Sequence, residues 1–228
     1  SAVAAIERGK VFVNDAEATK ADAAKRLAAG DRVRVWMDRP GSARRRSSPH
    51  QAGDLAILYE DDDLIAINKP PGLLTVPLER RGEAADSVLG LLKQYFRTHR
   101  PFVVHRIDRD TSGIVLFAKS AGAQERLKEQ FLHREPERIY QAIVYGHPTP
   151  ATGAWRDHLL WDDRALLQRK THPRDPRGKE AISEYRTIDQ YRDASLIEVR
   201  LVTGKRNQIR IQAGLRGHML AGERRYGF

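Results

Sequence analysis

Apolar positions recur along the chain with period two over several short stretches, and at helical spacing over fewer. Asp31-Arg32-Val33-Arg34-Val35-Trp36 alternates polar and apolar as a half-buried strand does. Before it, Val11-Phe12-Val13 reads as a short strand entering a turn at Asn14-Asp15, and Gly30-Asp31 turns the chain into the second strand. Residues 55–59 and 64–68 are apolar strands separated by the acidic turn 60–63. Val88, Leu91, Leu92, Tyr95 and Phe96 fall at helical spacing and predict a helix over 87–97. The apolar run 113–119 predicts a strand, and the polar stretch 121–132 a helix. Residues 138–145 and 196–202 read as further strands, and 208–215 as a helix that ends at Gly217. Strands adjoin strands more often than they alternate with helices, which favours an α+β class over a doubly wound fold. No repeat period is visible.

Composition divides this pattern into three parts. Residues 1–38 form a small compact unit. Residues 39–53, which include Pro40-Gly41-Ser42-Ala43-Arg44-Arg45-Arg46-Ser47-Ser48-Pro49, read as a basic linker. Residues 54–228 form the larger domain. With 40% hydrophobic residues in 228, a buried core is available. The absence of cysteine excludes a disulfide framework and a thiolate metal site. No apolar stretch approaches the roughly 20 residues that span a bilayer, and the start lacks the apolar core of a signal peptide. A soluble cytoplasmic protein is expected, with no membrane partner and no obligatory protein partner.

Charge sharpens the expectation. Against 30 acidic residues stand 40 Lys and Arg, a formal net charge of +10. The excess is local, because residues 164–179 carry six Lys and Arg with one acidic residue, and residues 200–228 carry seven with Glu223. Any single one of these residues could simply be solvated. Their clustering favours a polyanionic partner, since cations placed near phosphates release condensed counterions.

The densest polar cluster is His105-Arg106-Ile107-Asp108-Arg109-Asp110-Thr111-Ser112-Gly113, which leads directly into an apolar strand. A loop at the mouth of a sheet suits such residues, and such loops commonly carry sites. Taken alone, Asp108 or Asp110 reads better as a turn cap than as a catalyst, and His105 as a hydrogen-bonded structural residue. His-Arg-Xaa-Asp echoes a kinase catalytic loop, but no Gly-rich loop, Asp-Phe-Gly or suitably placed Asn accompanies it. No Walker sequence or zincin helix is present either, so no metal is expected.

The cluster resembles the HRLDxxTSG signature of the RluA-type pseudouridine synthases, with Ile107 for Leu. Other segments match that family in the same order. Lys69-Pro70-Pro71-Gly72 is similar to its Lys-Pro-Xaa-Gly segment, and Arg138-Ile139-Tyr140-Gln141-Ala142 to its Lys-Xaa-Tyr-Xaa-Ala strand. Thr203-Gly204-Lys205-Arg206-Asn207-Gln208-Ile209-Arg210 is similar to its Thr-Gly-Arg-Xaa-His-Gln-Ile-Arg motif. Gly217-His218 and the segment 222–227 follow, with Glu223 in place of Asp. The resemblance covers residues 55–227. It implies a mixed, mainly antiparallel central sheet flanked by helices and loops. Residues 1–38 resemble the second half of a small α+β RNA-binding domain named after a ribosomal small-subunit protein. Family members continue past the Tyr-Gly segment, so further residues are expected after Phe228.

Pseudouridine formation breaks an N-glycosidic bond, rotates the uracil and rejoins it through carbon. No redox step occurs, so no cofactor is expected. The resemblance assigns Asp108 as the catalytic carboxylate, acting as nucleophile or as stabiliser of a positive sugar. It assigns Arg210 as the partner that keeps that carboxylate ionised, and Tyr140 as the ring beside uracil and the candidate for proton transfer. Extruding a base from structured RNA costs a few kcal/mol, so RNA contacts are expected from Arg106, Lys69, Lys205, Arg206 and Gln208. Ribosomal RNA is the favoured partner, with transfer RNA the alternative. Two other functions use the same residues: a non-catalytic RNA-binding module, and a base-flipping glycosylase that does not rejoin the bond.

Overall fold

The computed structural model describes residues 2–7, 9–36, 50–77, 87–96 and 100–227. Most of the expected basic linker, residues 39–49 with the Arg44-Arg45-Arg46 triplet, lies outside them. The chain divides into two compact units, Ser1–Glu129 and Gln130–Phe228. This division falls inside the segment 54–228 expected as one domain.

The first unit begins with helix α1 (Ala2–Glu7), strands β1 (Val11–Val13) and β2 (Ala16–Glu17), a 3-10 turn (Lys20–Ala24) and β3 (Val33–Val35). These strands form a small sheet in the order β2-β1-β3. Asn14 and Asp15 both adopt positive φ, 51° and 64°, and join β1 to β2 in a two-residue hairpin. Asn and Asp tolerate that left-handed backbone better than other non-glycine residues. The expected burial of β3 is corrected. Val33 and Val35 are each 50% exposed, while Arg34 shares the face of buried Phe12, its guanidinium 5.2 Å from the ring centroid. Alternation locates this strand without saying which face is covered.

The main sheet of the first unit contains β4 (His50–Ala52), β5 (Leu55–Glu60), β6 (Leu64–Lys69), β7 (Phe102–Val103) and β8 (Gly113–Ala118). Its order is β4-β5-β6-β8-β7, and every ladder is antiparallel. The end of the expected linker is therefore strand, since β4 pairs with β5. The acidic turn 60–63 closes because Asp61 Oδ1 accepts from the N–H groups of Asp63 and Leu64, both at 2.8 Å. Leu55, Ile57, Ile65, Ile67, Val115 and Phe117 alternate onto one face and pack against Val88, Leu92 and Phe96 of the neighbouring helical segment. That segment is helix α2 (Val88–Tyr95). Its N-cap Ser87 accepts from Gly90 N–H at 3.1 Å, satisfying one of the orphan donors of the first turn. Helix α3 (Ala121–Leu132) follows β8.

The second unit is built on β9 (Ile139–Tyr145), β10 (Thr152–Asp162), β11 (Leu167–Thr171), β12 (Lys179–Gln190) and β13 (Ala194–Leu201), with helix α4 (Gln208–Gly214). The sheet order is β11-β10-β12-β13-β9, again antiparallel throughout. Within the basic segment 164–179 that charge alone marks as a surface track, Leu167–Thr171 form strand β11 and Lys179 opens β12. On the covered face, Trp155, Tyr185, Ile197, Val199 and Val144 pack with Ala213 and Ile209 of α4. The α+β class expected from sequence is the observed one. Among the described residues, no helix is long and apolar enough to cross a membrane.

Phe117 is fully buried in the core of the first unit. Phe117→Ala is expected to lower unfolding free energy by about 3–5 kcal/mol, measured by urea denaturation. A loss under about 1 kcal/mol would mean that this cluster does not hold the sheet to α2.

Candidate active site

In the first unit, the segment 104–112 connects β7 to β8 and is fastened on both sides of Asp108. Thr75 Oγ1 donates to the Ile107 carbonyl at 2.9 Å and accepts from Ile107 N–H at 3.3 Å. Gly72 N–H donates to the Arg109 carbonyl at 3.0 Å, and Arg109 Nε returns a bond to the Gly72 carbonyl at 2.9 Å. Thr111 N–H donates to the Asp108 carbonyl at 3.2 Å, making 108–111 a turn. Gly113 then enters β8 at φ +122°, a backbone setting that strains any L side chain. Asp108 itself is half-buried.

Lys69 completes this fastening. It is 0% exposed, and its Nζ donates to the carbonyls of Pro70, Leu73 and Arg109 at 2.9, 2.8 and 2.8 Å. Burial pushes its ammonium below the ordinary lysine value, and the negative charges of Asp110 and Asp108 pull it back up. The expectation that Lys69 contacts RNA is corrected. Its three hydrogens already have acceptors inside the protein, and it follows Ile65 and Ile67 on the core-facing side of β6. His105 is structural, accepting from Leu116 N–H through Nε2 at 3.2 Å just beyond the short β7–β8 ladder.

In the second unit, Tyr140 sits half-buried on β9 opposite Val199, on the face it shares with Ala142 and Val144. Arg210 lies on α4, between Ile209 and Ile211. Its Nε and Nη2 donate to the two carboxylate oxygens of Glu223 at 2.6 and 2.8 Å. This two-point grip fixes the plane of the guanidinium, which a lysine could not match. Glu223 has a side chain only 3% exposed, and its Oε1 also accepts from the N–H groups of Arg224 and Arg225 at 3.0 and 2.8 Å. Burial alone would raise the Glu223 carboxyl. The hydrogen bonds from Arg210 and Arg225, with the charge of Arg210, outweigh burial and hold it down at about 2. Tyr226 braces the same corner. Its hydroxyl donates to Asn207 Oδ1 at 3.2 Å and accepts from Gln168 N–H at 3.0 Å, and its ring centroid lies 5.3 Å from the Arg210 guanidinium.

A family model described as RNA pseudouridylate synthase matches residues 63–214, a span that includes parts of both units. The chain belongs to this family. Among curated relatives, it is 36% identical over 180 residues to the dual-specificity RNA pseudouridine synthase RluA of Escherichia coli, covering 78% of this chain and 80% of that protein. It is 33% identical over 233 residues to an uncharacterized RNA pseudouridine synthase, YlyB of Bacillus subtilis, covering 97% of this chain and 72% of that protein. To the ribosomal large subunit pseudouridine synthase D of Zymomonas mobilis it is 37% identical over 179 residues, covering 76% of this chain and 56% of that protein. The solved human RNA pseudouridylate synthase domain containing 1 protein shares the fold at a TM-score of 0.65 and 19% identity, over 80% of this chain and 73% of that one. The protein is thus an isomerase that acts on RNA, of the RluA type.

Within the synthase, the remaining sequence-expected contacts divide by burial. Arg106 and Arg206 are exposed, and Lys205 is half-buried. Gln208 is corrected: it is 2% exposed, and its amide is internal. Its Oε1 accepts from Thr203 Oγ1 and Lys205 N–H at 2.8 and 2.9 Å, while Nε2 donates to the Ile182 carbonyl and Ser183 Oγ at 3.0 and 2.9 Å. Gln208 therefore shapes the 203–210 turn instead of reaching RNA. Glu223 and Tyr226 were missed as site residues. Their signal is the segment 222–227, which matches the family's Gly-Asp-Xaa-Xaa-Tyr-Gly with Glu223 for Asp.

Two outcomes follow. Lys69→Met, which keeps the stem and removes the donors, is expected to cost about 3 kcal/mol in urea unfolding, because buried carbonyls lose their partner. The salt dependence of RNA binding should stay unchanged; a shallower slope would restore Lys69 as a phosphate contact. For Glu223, the folded carboxyl sits below its unfolded value of 4.5. Its stabilising contribution is complete above that value and lost as pH falls toward about 2. The unfolding free-energy difference between the protein and Glu223→Gln should be constant near neutrality and shrink through that acid window. A difference independent of pH would show that the charge of Glu223 is not what grips Arg210.

Proposed function

We propose that this synthase isomerises a uridine of large-subunit ribosomal RNA in the cytoplasm, with Asp108 as the carboxylate that acts at the sugar. The observation that carries the assignment is the fastening of the Asp108 loop. Hydrogen bonds from Thr75, Gly72 and Lys69 hold the backbone on either side of this carboxylate. Preorganisation of this kind lets a carboxylate meet developing positive charge without reorganising during the reaction.

In the proposed reaction the bond from C1′ to N1 breaks and a bond from C1′ to C5 forms. A proton leaves C5 and one is gained at N1, so atoms balance and no electron carrier is needed. Tyr140 is assigned as the ring that packs on uracil and the group that takes the C5 proton. Arg210, held flat by Glu223, is assigned as the cation that keeps the reacting carboxylate ionised. Arg106, exposed beside Asp108, is assigned to holding the extruded nucleotide. Residues 1–38 are assigned as an accessory RNA-binding unit. Ribosomal RNA is preferred because a relative matched over three quarters of this chain is named for the large ribosomal subunit.

The test is incubation with ribosomal and transfer RNA, followed by mapping of carbodiimide-resistant adducts. Asp108→Ala is expected to lose all pseudouridine signal while RNA binding is retained. Pseudouridine formed by Asp108→Ala would overturn the assignment, and free uracil as the product would convert the enzyme to a glycosylase.

A further inference from the structure

Beyond the reacting uridine, the second unit carries an aromatic and cationic surface that the isomerisation does not use. Arg206 is exposed, and its guanidinium carbon lies 3.9 Å from the ring centroid of Trp161. A group at the edge of an indole would sit farther from the centroid, so the guanidinium lies over the ring face. Trp161 is half-buried near the end of β10, on the face that carries Trp155 and Leu159 farther along the strand. It thereby holds the guanidinium up toward solvent from a fixed base.

The support beneath it is rigid. The β10–β11 hairpin closes because Asp162 Oδ1 accepts from the N–H groups of Arg164 and Ala165 at 3.0 and 2.9 Å. Asp162 Oδ2 pairs with Arg169 Nε at 2.8 Å. The adjoining strand is tied down where Gln168 N–H meets the Tyr226 hydroxyl. The turn and second strand of this hairpin lie in the basic segment 164–179, and Arg206 lies in the other, 200–228.

We propose that Arg206, seated on Trp161, is a stacking platform for an unpaired RNA base outside the reacting nucleotide. A planar guanidinium with one face on an aromatic ring offers its other face to a base, as well as charge to a nearby phosphate. Stacking of this kind is tolerant of sequence and selects single-stranded over paired nucleotides. A surface whose elements are already fixed avoids much of the ordering cost of binding. This inference rests on the chain being an RNA enzyme, and it does not depend on the role of Asp108.

The experiment compares equilibrium binding of two labelled RNAs, a hairpin with a single-stranded loop and the same stem as continuous duplex, across a range of salt. Arg206→Lys keeps the charge and removes the plane. It is expected to weaken hairpin binding about five- to tenfold, leave duplex binding unchanged and leave the salt slope unchanged. Trp161→Leu, checked by thermal melting for an intact fold, should show the same selective loss. Arg206→Lys binding the hairpin as tightly as the unaltered protein would overturn the platform. So would an Arg206→Gln whose only effect is a salt slope lower by about one, the mark of a simple phosphate contact. If the unaltered protein bound neither RNA, the RNA-binding reading itself would fall, an outcome distinct from loss of the platform alone.

Discussion

Lys69 is an ammonium held inside the first unit by three backbone carbonyls, and the placement of Asp108 depends on it. A buried cation is costly unless its hydrogens are matched, and here Pro70, Leu73 and Arg109 match them. One of those acceptors belongs to the residue after Asp108, one to Pro70 of the Lys-Pro-Pro-Gly turn and one to Leu73 just beyond it. Two distant pieces of chain are therefore cross-linked at one point. Thr75 and Gly72 add bonds that would be weak alone but now act between segments already held in register. The proposed catalytic carboxylate thus stands on a loop with little freedom to relax.

The second unit solves a comparable problem with side-chain amides. Gln208 and Gln212 are both buried, and each serves several partners. Gln212 accepts from Ser183 Oγ at 2.7 Å and donates to the Trp155 carbonyl at 3.1 Å and to Asp157 Oδ2 at 2.9 Å. These bonds knit α4 onto β10 and β12, and Arg210 stands on the helix so fixed. Glu223 and Tyr226 then set the direction of its guanidinium. Buried polar networks of this kind favour a single arrangement, where an apolar contact of equal size would tolerate several; here Asp157 Oδ1 is left to an ion pair with Lys170 at 3.6 Å.

The residues of the RluA-type pattern therefore serve two kinds of duty. Asp108, Tyr140 and Arg210 are proposed to carry the chemistry, whereas Lys69, Gln208 and Glu223 hold their neighbours in place. Sequence spacing does not separate the two, because a buried lysine and an RNA-facing lysine are written with the same letter. The phase of β6 does separate them: Lys69 follows Ile65 and Ile67 at steps of two, on the core face. No comparable signal marked Gln208, whose burial follows from the packing of α4 against β12.

The sequence by itself determined the α+β class, the strands 55–59, 64–68, 113–119 and 138–145 to within a residue at each end, the helix 121–132, and the ordered motifs that identify the family. These are legible because local periodicity and motif order are properties of neighbouring residues. Tertiary structure alone decided that residues 152–190 build the long strands β10 to β12. There, buried Asp157 and Ser183 interrupt the apolar pattern, and their hydrogen bonds come from residues far along the chain. It also decided that Val33 and Val35 lie open while Arg34 covers Phe12, and that Glu223 grips Arg210. Burial of a polar group depends on partners that only the folded chain brings within hydrogen-bonding distance, and no window of sequence contains them.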